Sequence, residues 1–372
     1  MIVGVPRETQ PDERRVALVP ELLPRLVKAG LEVHVQTGAG EAAGFPDKTY
    51  SDAGAQLVAD PLPNADFVLK VQPPTVAEVA RMKPGATLIG FLNVASNANL
   101  VPLLNTRSIN AFAMEQMPRI TRAQPMDALS AMSTVAGYKA VLIAANRLPR
   151  FFPLLMTAAG TVQPARVFII GAGVAGLQAI GTAKRLGAVV EAYDTRPAVR
   201  EQVESLGGKF VVLDIAAEKA EAATGYATAQ SEEFYRKQRE LMAAAIAKVD
   251  IVITTALVPG KKAPILVTEE MVRGMRPGSV IVDLAAEQGG NCELTQAGQE
   301  VVKHGVIIIG PVNIASTVAF HASQMYARTV VSYLLHLFQG GALKIDLADD
   351  LTKLPLVTNQ GQILQGSGGT AS

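Results

Sequence analysis

The sequence has few of the residues that build disulfides, metal sites or charged surfaces. It contains one cysteine, Cys292, which excludes a disulfide framework and a thiolate metal site and fits a reducing cytoplasm. Its four histidines never occur at the spacing of metal ligands, so we expect no metal site. Lysine and arginine total 34 against 33 acidic residues, and this net charge of +1 provides no field that attracts nucleic acid or anionic lipid.

Long uninterrupted hydrophobic runs are also missing from the sequence. The opening segment, MIVGVPRETQ, does not have the charged-then-apolar layout of a signal peptide. The longest weakly polar stretch, residues 167–183, is interrupted by four glycines, which indicates a buried strand and helix rather than a membrane span. We therefore expect a soluble cytoplasmic chain, which a partner subunit could still hold at a membrane.

What is present is an alternation of strand-like and helix-like segments. The first block has strand patterns in MIVGV, LEVHVQTG, ADFVLKVQPP and ATLIGFL, with helical patterns in PELLPRLVKAG, DKTYSDAGAQLV and VAEVARMKPG. The second block has strand patterns in ARVFII, AVVEAYD, KFVVLD, KVDIVITTA, GSVIVDLA and GVIIIG. We predict an α/β chain of two doubly wound, parallel-sheet Rossmann-like domains, joined by the long helix DALSAMSTVAGYKAVLIAANRL.

A glycine-rich turn opens the helix that follows the strand ARVFII. Gly171, Gly173 and Gly176 form a GxGxxG pattern, which permits a tight turn, a close approach to pyrophosphate and close packing of helix on strand. Val174 and Ala175 lie in the same turn, where the N–H groups of a helix N-terminus bind phosphate. This context predicts NAD-type binding; the alternative is a glycine turn without a ligand.

An acidic residue follows at the end of the next strand. Asp194 lies eighteen residues after Gly176, at the place where such a residue accepts hydrogen bonds from the adenosine ribose. Its charge repels a 2′-phosphate, which favours NAD(H) over NADP(H). Arg196 opposes this interpretation, because its guanidinium could serve a 2′-phosphate.

The domain boundaries depend on where the helical pattern resumes near the C-terminus. The segment from about Phe320 is helical again, and we expect it to pack on the first block. The first domain would then comprise residues 1–126 and 318–372, and the NAD(H)-binding Rossmann domain would comprise residues 127–317. Asp127 or Ser130 is a candidate N-cap of the long helix.

A polar loop precedes that helix. The segment EQMPRITRAQPMDALS, residues 115–130, places Arg119, Arg122, Gln124, Asp127 and Ser130 within twelve residues, and its two prolines are expected to break any helix. Reducing a ketone or an imine requires a proton donor. Hydride transfer between two nicotinamide rings requires only that the rings be stacked and water excluded. The presence or absence of an acid–base group therefore discriminates between these chemistries.

Several segments resemble the alanine dehydrogenase/transhydrogenase family: MIVGVPRETQPDERRVALVP, VQTGAGEAAGFPDKTY, the glycine loop and VDLAAEQGGNCE. By this resemblance, Arg15 matches a substrate arginine of the alanine dehydrogenases. Their lysine falls on Gln72, their histidine on Asn93 and their catalytic aspartate on Glu287. These replacements disfavour oxo-acid chemistry, and an alanine dehydrogenase-like amino-acid dehydrogenase stays an alternative.

The polar loop closely resembles a loop in domain I of the proton-translocating nicotinamide nucleotide transhydrogenases, and MTAAGTVQPARV, REQVESLGGKF and TTALVPGKKAPILVTEEMV resemble the same proteins. The resemblance implies that Arg119, Asp127 and Ser130 hold the carboxamide side of NAD(H). It also implies that Gln124 reaches toward NADP(H) held by a different domain. The alternative is a capped polar loop at the start of a helix.

The resemblance implies further contacts with the cofactor. A loop that contains Tyr226 is expected to be mobile and to close over the bound nucleotide; a plain solvated loop is the alternative. The strand ends that follow AVVEAYD and KVDIVITTA are expected to line the cofactor crevice. They contribute Thr195, Thr255, Ala256 and Leu257.

The function that this resemblance implies is that of a soluble NAD(H)-binding component of a transhydrogenase. Such a component gives hydride directly to NADP⁺ on a separate polypeptide, and its family members are homodimers. The partner would belong to a membrane complex coupled to proton translocation, so the chain would attach peripherally to the inner or plasma membrane. The chain ends without an apolar span and so resembles the free rather than the fused form. A non-catalytic NAD-binding module is a further alternative.

Overall fold

The computed structural model describes residues 1–97, 99–212, 232–258 and 262–364. Its strands are β1 (Ile2–Val5), β2 (Glu32–Gln36), β3 (Gln56–Val58), β4 (Phe67–Leu69), β5 (Thr87–Gly90), β6 (Asn110–Ala113), β7 (Leu155–Thr157), β8 (Gly160–Val162), β9 (Arg166–Ile170), β10 (Val189–Tyr193), β11 (Lys209–Phe210), β12 (Ile251–Thr254), β13 (Val280–Asp283), β14 (Glu300–Lys303), β15 (Val306–Ile309), β16 (Phe338–Gln339), β17 (Ala342–Leu343), β18 (Leu356–Asn359) and β19 (Gln362–Ile363). Its α-helices are α1 (Leu23–Lys28), α2 (Asp47–Asp52), α3 (Val76–Arg81), α4 (Leu100–Thr106), α5 (Ala128–Arg147), α6 (Val174–Arg185), α7 (Arg200–Ser205), α8 (Glu232–Ile246), α9 (Glu269–Arg273), α10 (Ala319–Leu337) and α11 (Asp350–Lys353).

The chain divides into two compact units. The first comprises Met1–Met132 and Ala315–Ser372, and the second comprises Ser133–Ile314. One division falls inside α5, between Met132 and Ser133, so this helix belongs to both units.

The first unit contains an eight-stranded sheet in the order β19-β18-β6-β5-β4-β1-β2-β3. Strands β1 to β6 are parallel, and their spatial order is the doubly wound 3-2-1-4-5-6. The C-terminal strands β18 and β19 extend this sheet in antiparallel fashion beside β6. The segment DKTYSDAGAQLV is not one helix, as we expected, but α2 followed by the edge strand β3. Gly54, with φ of +97°, adopts the left-handed conformation that ends the helix.

Helix α10 packs on the strands of the first unit. The hydroxyl of Tyr326 donates to the Lys70 carbonyl at 2.6 Å, and the N–H of Val16 donates to Ser323 Oγ at 3.0 Å. The ring of Tyr333 meets that of Phe112 edge to face, with centroids 5.6 Å apart. Such aromatic pairs add to the stabilisation that apolar burial provides.

The second unit contains a seven-stranded sheet in the order β11-β10-β9-β12-β13-β15-β14. Its first six strands again have the doubly wound order, and the predicted fold class of two parallel-dominated, doubly wound sheets is confirmed. We did not predict the antiparallel edge strand β14. It joins β15 through a two-residue turn in which His304 and Gly305 have φ of +52° and +78°, the geometry of a tight hairpin.

Helix α5 is the one described helix that is long and apolar enough to cross a membrane, by length and composition alone. The sequence had drawn attention to residues 167–183 instead. Several apolar residues of α5 are buried in the core of the second unit, namely Ala140, Val141 and Ala144. A core helix passes the same test of length and composition, so this feature is weak evidence for a membrane span.

Candidate functional site

The glycine turn between β9 and α6 is shaped by close backbone contacts. Gly171 has a φ of +97°, and a Cβ at this position would lie 2.5 Å from Thr255 Oγ1. The Thr255 hydroxyl donates to the Gly171 carbonyl at 3.0 Å. A Cβ on Gly176 would lie 1.9 Å from the Gly171 carbonyl oxygen. The first and third glycines of the motif are therefore required by the packing of the turn itself.

The N-terminus of α6 is open to an anion. Gly173 stands at the N-cap and makes no side-chain capping bond, so the first N–H groups of Val174, Ala175 and Gly176 have no side-chain acceptor at the cap. Helix α5 approaches this turn closely, since a Cβ on Gly137 would lie 2.0 Å from the Ala175 carbonyl oxygen. The geometry suits a phosphate, and the position of the turn depends on contact with α5.

Asp194 is tied to the glycine turn. Its Oδ2 accepts the N–H of Ala172 at 2.7 Å, while its Oδ1 accepts the N–H and Nε of Arg196 at 2.8 and 2.9 Å. The carboxylate is buried, at 8% exposure. Thr195 lies half-buried between these two residues. The structure thus brings Asp194 to the turn, as the spacing predicted, and it shows that the Arg196 guanidinium is engaged by Asp194.

A buried carboxylate that we did not predict organises the ends of β12 and β13. Asp283 is fully buried and accepts five hydrogen bonds. The donors are Thr254 Oγ1, Thr295 Oγ1 and the N–H groups of Ala285, Asn291 and Cys292. The available signal was an aspartate directly after the apolar run VIV, at the carboxyl end of a parallel strand, where ligand-binding groups gather.

Asn291 extends this arrangement to the residues expected to line the cofactor crevice. Its Oδ1 accepts the N–H of Ala256 at 3.0 Å, and its Nδ2 donates to the Ala256 carbonyl at 2.9 Å. Thr255, Ala256 and Leu257 are half-buried beyond the end of β12, which neighbours β9 in the sheet. Two buried polar residues thus fix the backbone beside the glycine turn.

Cys292 has the environment of a structural residue. It is 1% exposed, and burial raises the pKa of its thiol to about 11. The described residues contain no group of three or more His, Cys, Asp and Glu side chains that could hold a metal ion.

The polar loop contains a helical turn that the prolines led us to exclude. A 3₁₀ helix runs over Thr121–Met126, with Pro125 inside it. The prediction of no helix is therefore wrong for this short turn. A 3₁₀ turn of six residues has few internal hydrogen bonds, so the missing N–H of one proline is tolerated, whereas an α-helix would lose an interior bond.

Asp127 caps the start of α5. Its Oδ1 accepts the N–H of Ser130 at 2.9 Å, and its Oδ2 accepts the Ser130 hydroxyl at 2.5 Å. Of the two candidate caps, Asp127 is the acceptor and Ser130 the donor. Arg119 and Gln124 are exposed, and Gln124 has no side-chain partner among the described residues. Tyr226 lies outside the described residues.

The residues that match the substrate groups of alanine dehydrogenases form a different arrangement. Arg15 is buried, and its Nε and Nη2 donate to the two oxygens of Glu13 at 2.8 and 2.6 Å. Gln72 Nε2 donates to Glu13 at 2.7 Å. Burial alone would raise the pKa of Glu13, but hydrogen bonding and the charge of Arg15 hold it below its usual value. Arg15 is therefore balanced by an internal carboxylate.

The other two matched positions provide no acid in the described structure. Asn93 is exposed and has a left-handed φ of +50°. Glu287 is exposed and accepts the N–H of Asn313. An asparagine side chain cannot donate a proton at neutral pH, so the change at residue 93 removes the group that would act as an acid.

Comparison with known proteins identifies the family. The N-terminal domain model of alanine dehydrogenase/PNT matches residues 4–136, and the C-terminal domain model matches residues 140–366. The chain belongs to the alanine dehydrogenase/PNT family. It is 50% identical over 375 residues to an NAD(P) transhydrogenase subunit alpha chain of Rhodospirillum rubrum, covering 98% of each chain. It is 34% identical over 362 residues to alanine dehydrogenase of Bacillus subtilis, covering 94% and 89% of the two chains.

Solved structures of the family agree. The crystal structure of transhydrogenase from Sinorhizobium meliloti matches with a TM-score of 0.89 and 44% identity, covering 98% of this chain and 100% of that one. An L-alanine dehydrogenase matches with a TM-score of 0.82 and 29% identity, covering 98% and 96%. The predicted resemblance is confirmed. Within the family, the chain is a component of a transhydrogenase-type oxidoreductase, and the naming of its relatives as subunits implies partner subunits.

Proposed function

We propose that the chain is the NAD(H)-binding component of a proton-translocating transhydrogenase. It passes a hydride from NADH to NADP⁺ held on a partner subunit. The observation that carries this proposal is the 50% identity to an NAD(P) transhydrogenase alpha subunit across 98% of both chains. The complete alignment of the two chains makes a transfer of function more secure than a match of the dinucleotide fold alone.

The chemistry of the first unit supports a reaction without proton transfer. Hydride transfer between two nicotinamide rings needs stacking and exclusion of water. A carbonyl reduction also needs a proton donor. Gln72 and Asn93 occupy the positions of the lysine and histidine of alanine dehydrogenases, and Arg15 is paired with Glu13. These residues favour the transhydrogenase over the alanine dehydrogenase-like alternative.

On the NAD(H) side, the turn at Gly171, Gly173 and Gly176 binds the pyrophosphate at the start of α6. Asp194 accepts the adenosine ribose hydroxyls, and in doing so it exchanges the Arg196 guanidinium for the ligand. The support for this assignment is the open N-cap of α6 and the 2.7 Å bond that holds Asp194 at the turn. Contacts along the cofactor come from Val174, Ala175, Thr195, Thr255, Ala256, Leu257 and Tyr226.

On the nicotinamide side, Arg119, Asp127 and Ser130 hold the carboxamide and ribose. Charged and hydroxyl groups suit this role, because a carboxamide both donates and accepts hydrogen bonds. Gln124 reaches toward the NADP(H) of the partner. The exposure of Gln124, and the lack of a side-chain partner for it in the described part of the chain, support this role.

The assembly that follows is a homodimer bound to an NADP(H)-binding subunit and to membrane-spanning subunits. The chain then sits on the cytoplasmic side, attached peripherally to the inner or plasma membrane through those partners. The near-neutral net charge of +1 supports attachment through proteins rather than directly to anionic lipid.

The test is reconstitution with the NADP(H)-binding subunit. We expect the mixture to move hydride from NADH to an NADP⁺ analogue with a distinct absorbance, and the chain alone to be inactive with pyruvate, ammonia and NADH. Turnover of pyruvate by the chain alone would favour the dehydrogenase alternative. NADH binding without transfer in the mixture would favour a non-catalytic NAD-binding module.

A further inference from the structure

Arg122 belongs to the polar loop but has no part in the cofactor contacts proposed above. It lies on the 3₁₀ helix Thr121–Met126, two residues before Gln124. Its Nη2 donates to Asp349 Oδ1 at 2.6 Å, which joins the loop to a residue 227 positions away in the first unit. The pair therefore anchors the turn that carries Gln124.

The geometry of a 3₁₀ helix separates the roles of three consecutive residues. With three residues per turn, neighbouring side chains project about 120° apart. Arg122 is directed to Asp349, and Ala123 is buried at 1% exposure. Gln124 occupies the remaining face and is exposed. Two faces of the turn are thus held in place, and the third presents the Gln124 amide outward.

Asp349 is a well-fixed acceptor for Arg122. It caps α11 by accepting the N–H of Leu351 at 3.2 Å, and its Oδ2 lies 3.3 Å from His336 Nε2 on α10. Burial would raise the pKa of Asp349, but the Leu351 N–H and the Arg122 guanidinium bring it below its usual value. Tyr333 stacks on His336 and donates to the Leu351 carbonyl at 3.0 Å. The acceptor is therefore bound to both helices.

We propose that the Arg122–Asp349 ion pair is a positioning device that orients the 3₁₀ turn and so directs Gln124 toward the second nucleotide. This inference rests on the proposed function. The Arg122 side chain is 65% exposed, and exposed ion pairs contribute little to stability, so its loss should leave the fold intact. A small displacement of a group that positions the reacting rings slows the reaction strongly.

The kinetic test compares Arg122→Gln, Asp349→Asn and the double variant in reconstituted hydride transfer. We expect each single variant to slow transfer about tenfold, with the NADH dissociation constant changed by less than about twofold. The double variant should be no slower than either single one, since both changes remove the same interaction. Arg122→Lys should recover part of the rate.

A matched control is Arg328→Gln. Arg328 lies on α10 and forms an exposed ion pair with Glu21 at 2.7 Å, away from the polar loop. Its loss should leave the transfer rate unchanged. Equal slowing by Arg328→Gln and Arg122→Gln would overturn the inference, as would additive effects of Arg122→Gln and Asp349→Asn, or a parallel loss of NADH affinity.

A second measurement reports the orientation of the turn without any hydride transfer. A nitroxide attached to Gln124→Cys is the single accessible label, because Cys292 is buried. Its paramagnetic resonance spectrum should show restricted motion when Arg122 is present and faster motion with Arg122→Gln. Identical spectra would overturn the inference. A wild-type chain that transfers no hydride would instead refute the proposed function, so the two failures are distinguishable.

Discussion

The carboxylate of Asp194 accepts the backbone N–H of Ala172 at 2.7 Å, which ties the end of β10 to the middle of the glycine turn. The acidic residue that is expected to bind the ribose therefore also shapes the turn that is expected to bind the pyrophosphate. It also engages Arg196, the residue that could otherwise favour a 2′-phosphate. Cofactor choice and turn geometry thus depend on the same side chain.

Asp194→Ala should lower NADH affinity roughly tenfold to a hundredfold, because hydrogen bonds to a charged group contribute about 1.5–3 kcal/mol. It should raise the relative affinity for NADPH, because Arg196 is released. Asp194→Asn keeps an acceptor for Ala172 but loses the charge, so its main effect should be on the choice between cofactors. Titration of both nucleotides measures these effects, and an unchanged ratio of affinities would refute the role of Asp194.

Gly137→Ala should weaken NADH binding and destabilise the protein. The new Cβ would lie 2.0 Å from the Ala175 carbonyl oxygen, so α5 must move away from the glycine turn. We expect a loss of about 1–3 kcal/mol in the free energy of unfolding, typical of overpacking.

The control for Gly137→Ala is Gly181→Ala on α6. A Cβ there meets its nearest neighbour at 3.7 Å, which is ordinary contact. This variant should be stabilised by up to about 1 kcal/mol, because alanine is the better helix former. Denaturant unfolding separates the two, and equal behaviour would contradict the close approach of α5 to the turn.

Gln124→Asn should slow hydride transfer and leave NADH affinity nearly unchanged. The shorter side chain keeps the amide but withdraws it from the second nucleotide. The same substitution at Gln324 on α10, where the amide donates to Glu21 at 3.2 Å, should have no kinetic effect. Single-turnover rates and NADH titrations make the comparison. A large loss of NADH affinity with Gln124→Asn would show that its amide is wrongly assigned.

Cys292 should be inert to thiol reagents in the folded protein. Burial raises the pKa of the thiol to about 11, so roughly one molecule in a thousand would be a thiolate at pH 8 even with full access. A disulfide reagent should react at once after unfolding in denaturant. Gln124→Cys should provide one reactive thiol in the native state, and a second reactive thiol without denaturant would contradict the burial of Cys292.

The elements that the sequence predicted are those with a strong local pattern. The parallel strands β9, β12 and β13 are continuous apolar runs because helices cover both faces of such sheets, and their order follows from the alternation with helices. The turn at Gly171 was found because its backbone demands glycine. Asp194 was found because the motif fixes its distance along the chain.

The residues that the sequence did not reveal act across long separations. The Arg122–Asp349 pair joins positions 227 apart, and Asn291 fixes Ala256 from 35 positions away. No periodicity marks such contacts, because they depend on tertiary packing. The 3₁₀ turn at Pro125 was missed for a local reason: proline excludes an interior α-helical hydrogen bond but not a short turn.

The central claim is that hydride passes directly from one nicotinamide ring to another. Its most direct test uses NADH with two deuterium atoms at C4, mixed with this chain, the partner subunit and NADP⁺ in ordinary water. Mass spectrometry of the product should find one deuterium in each NADPH formed, with none exchanged for solvent hydrogen. Unlabelled NADPH, or deuterium released to water, would show an intermediate carrier or proton exchange and would contradict the claim.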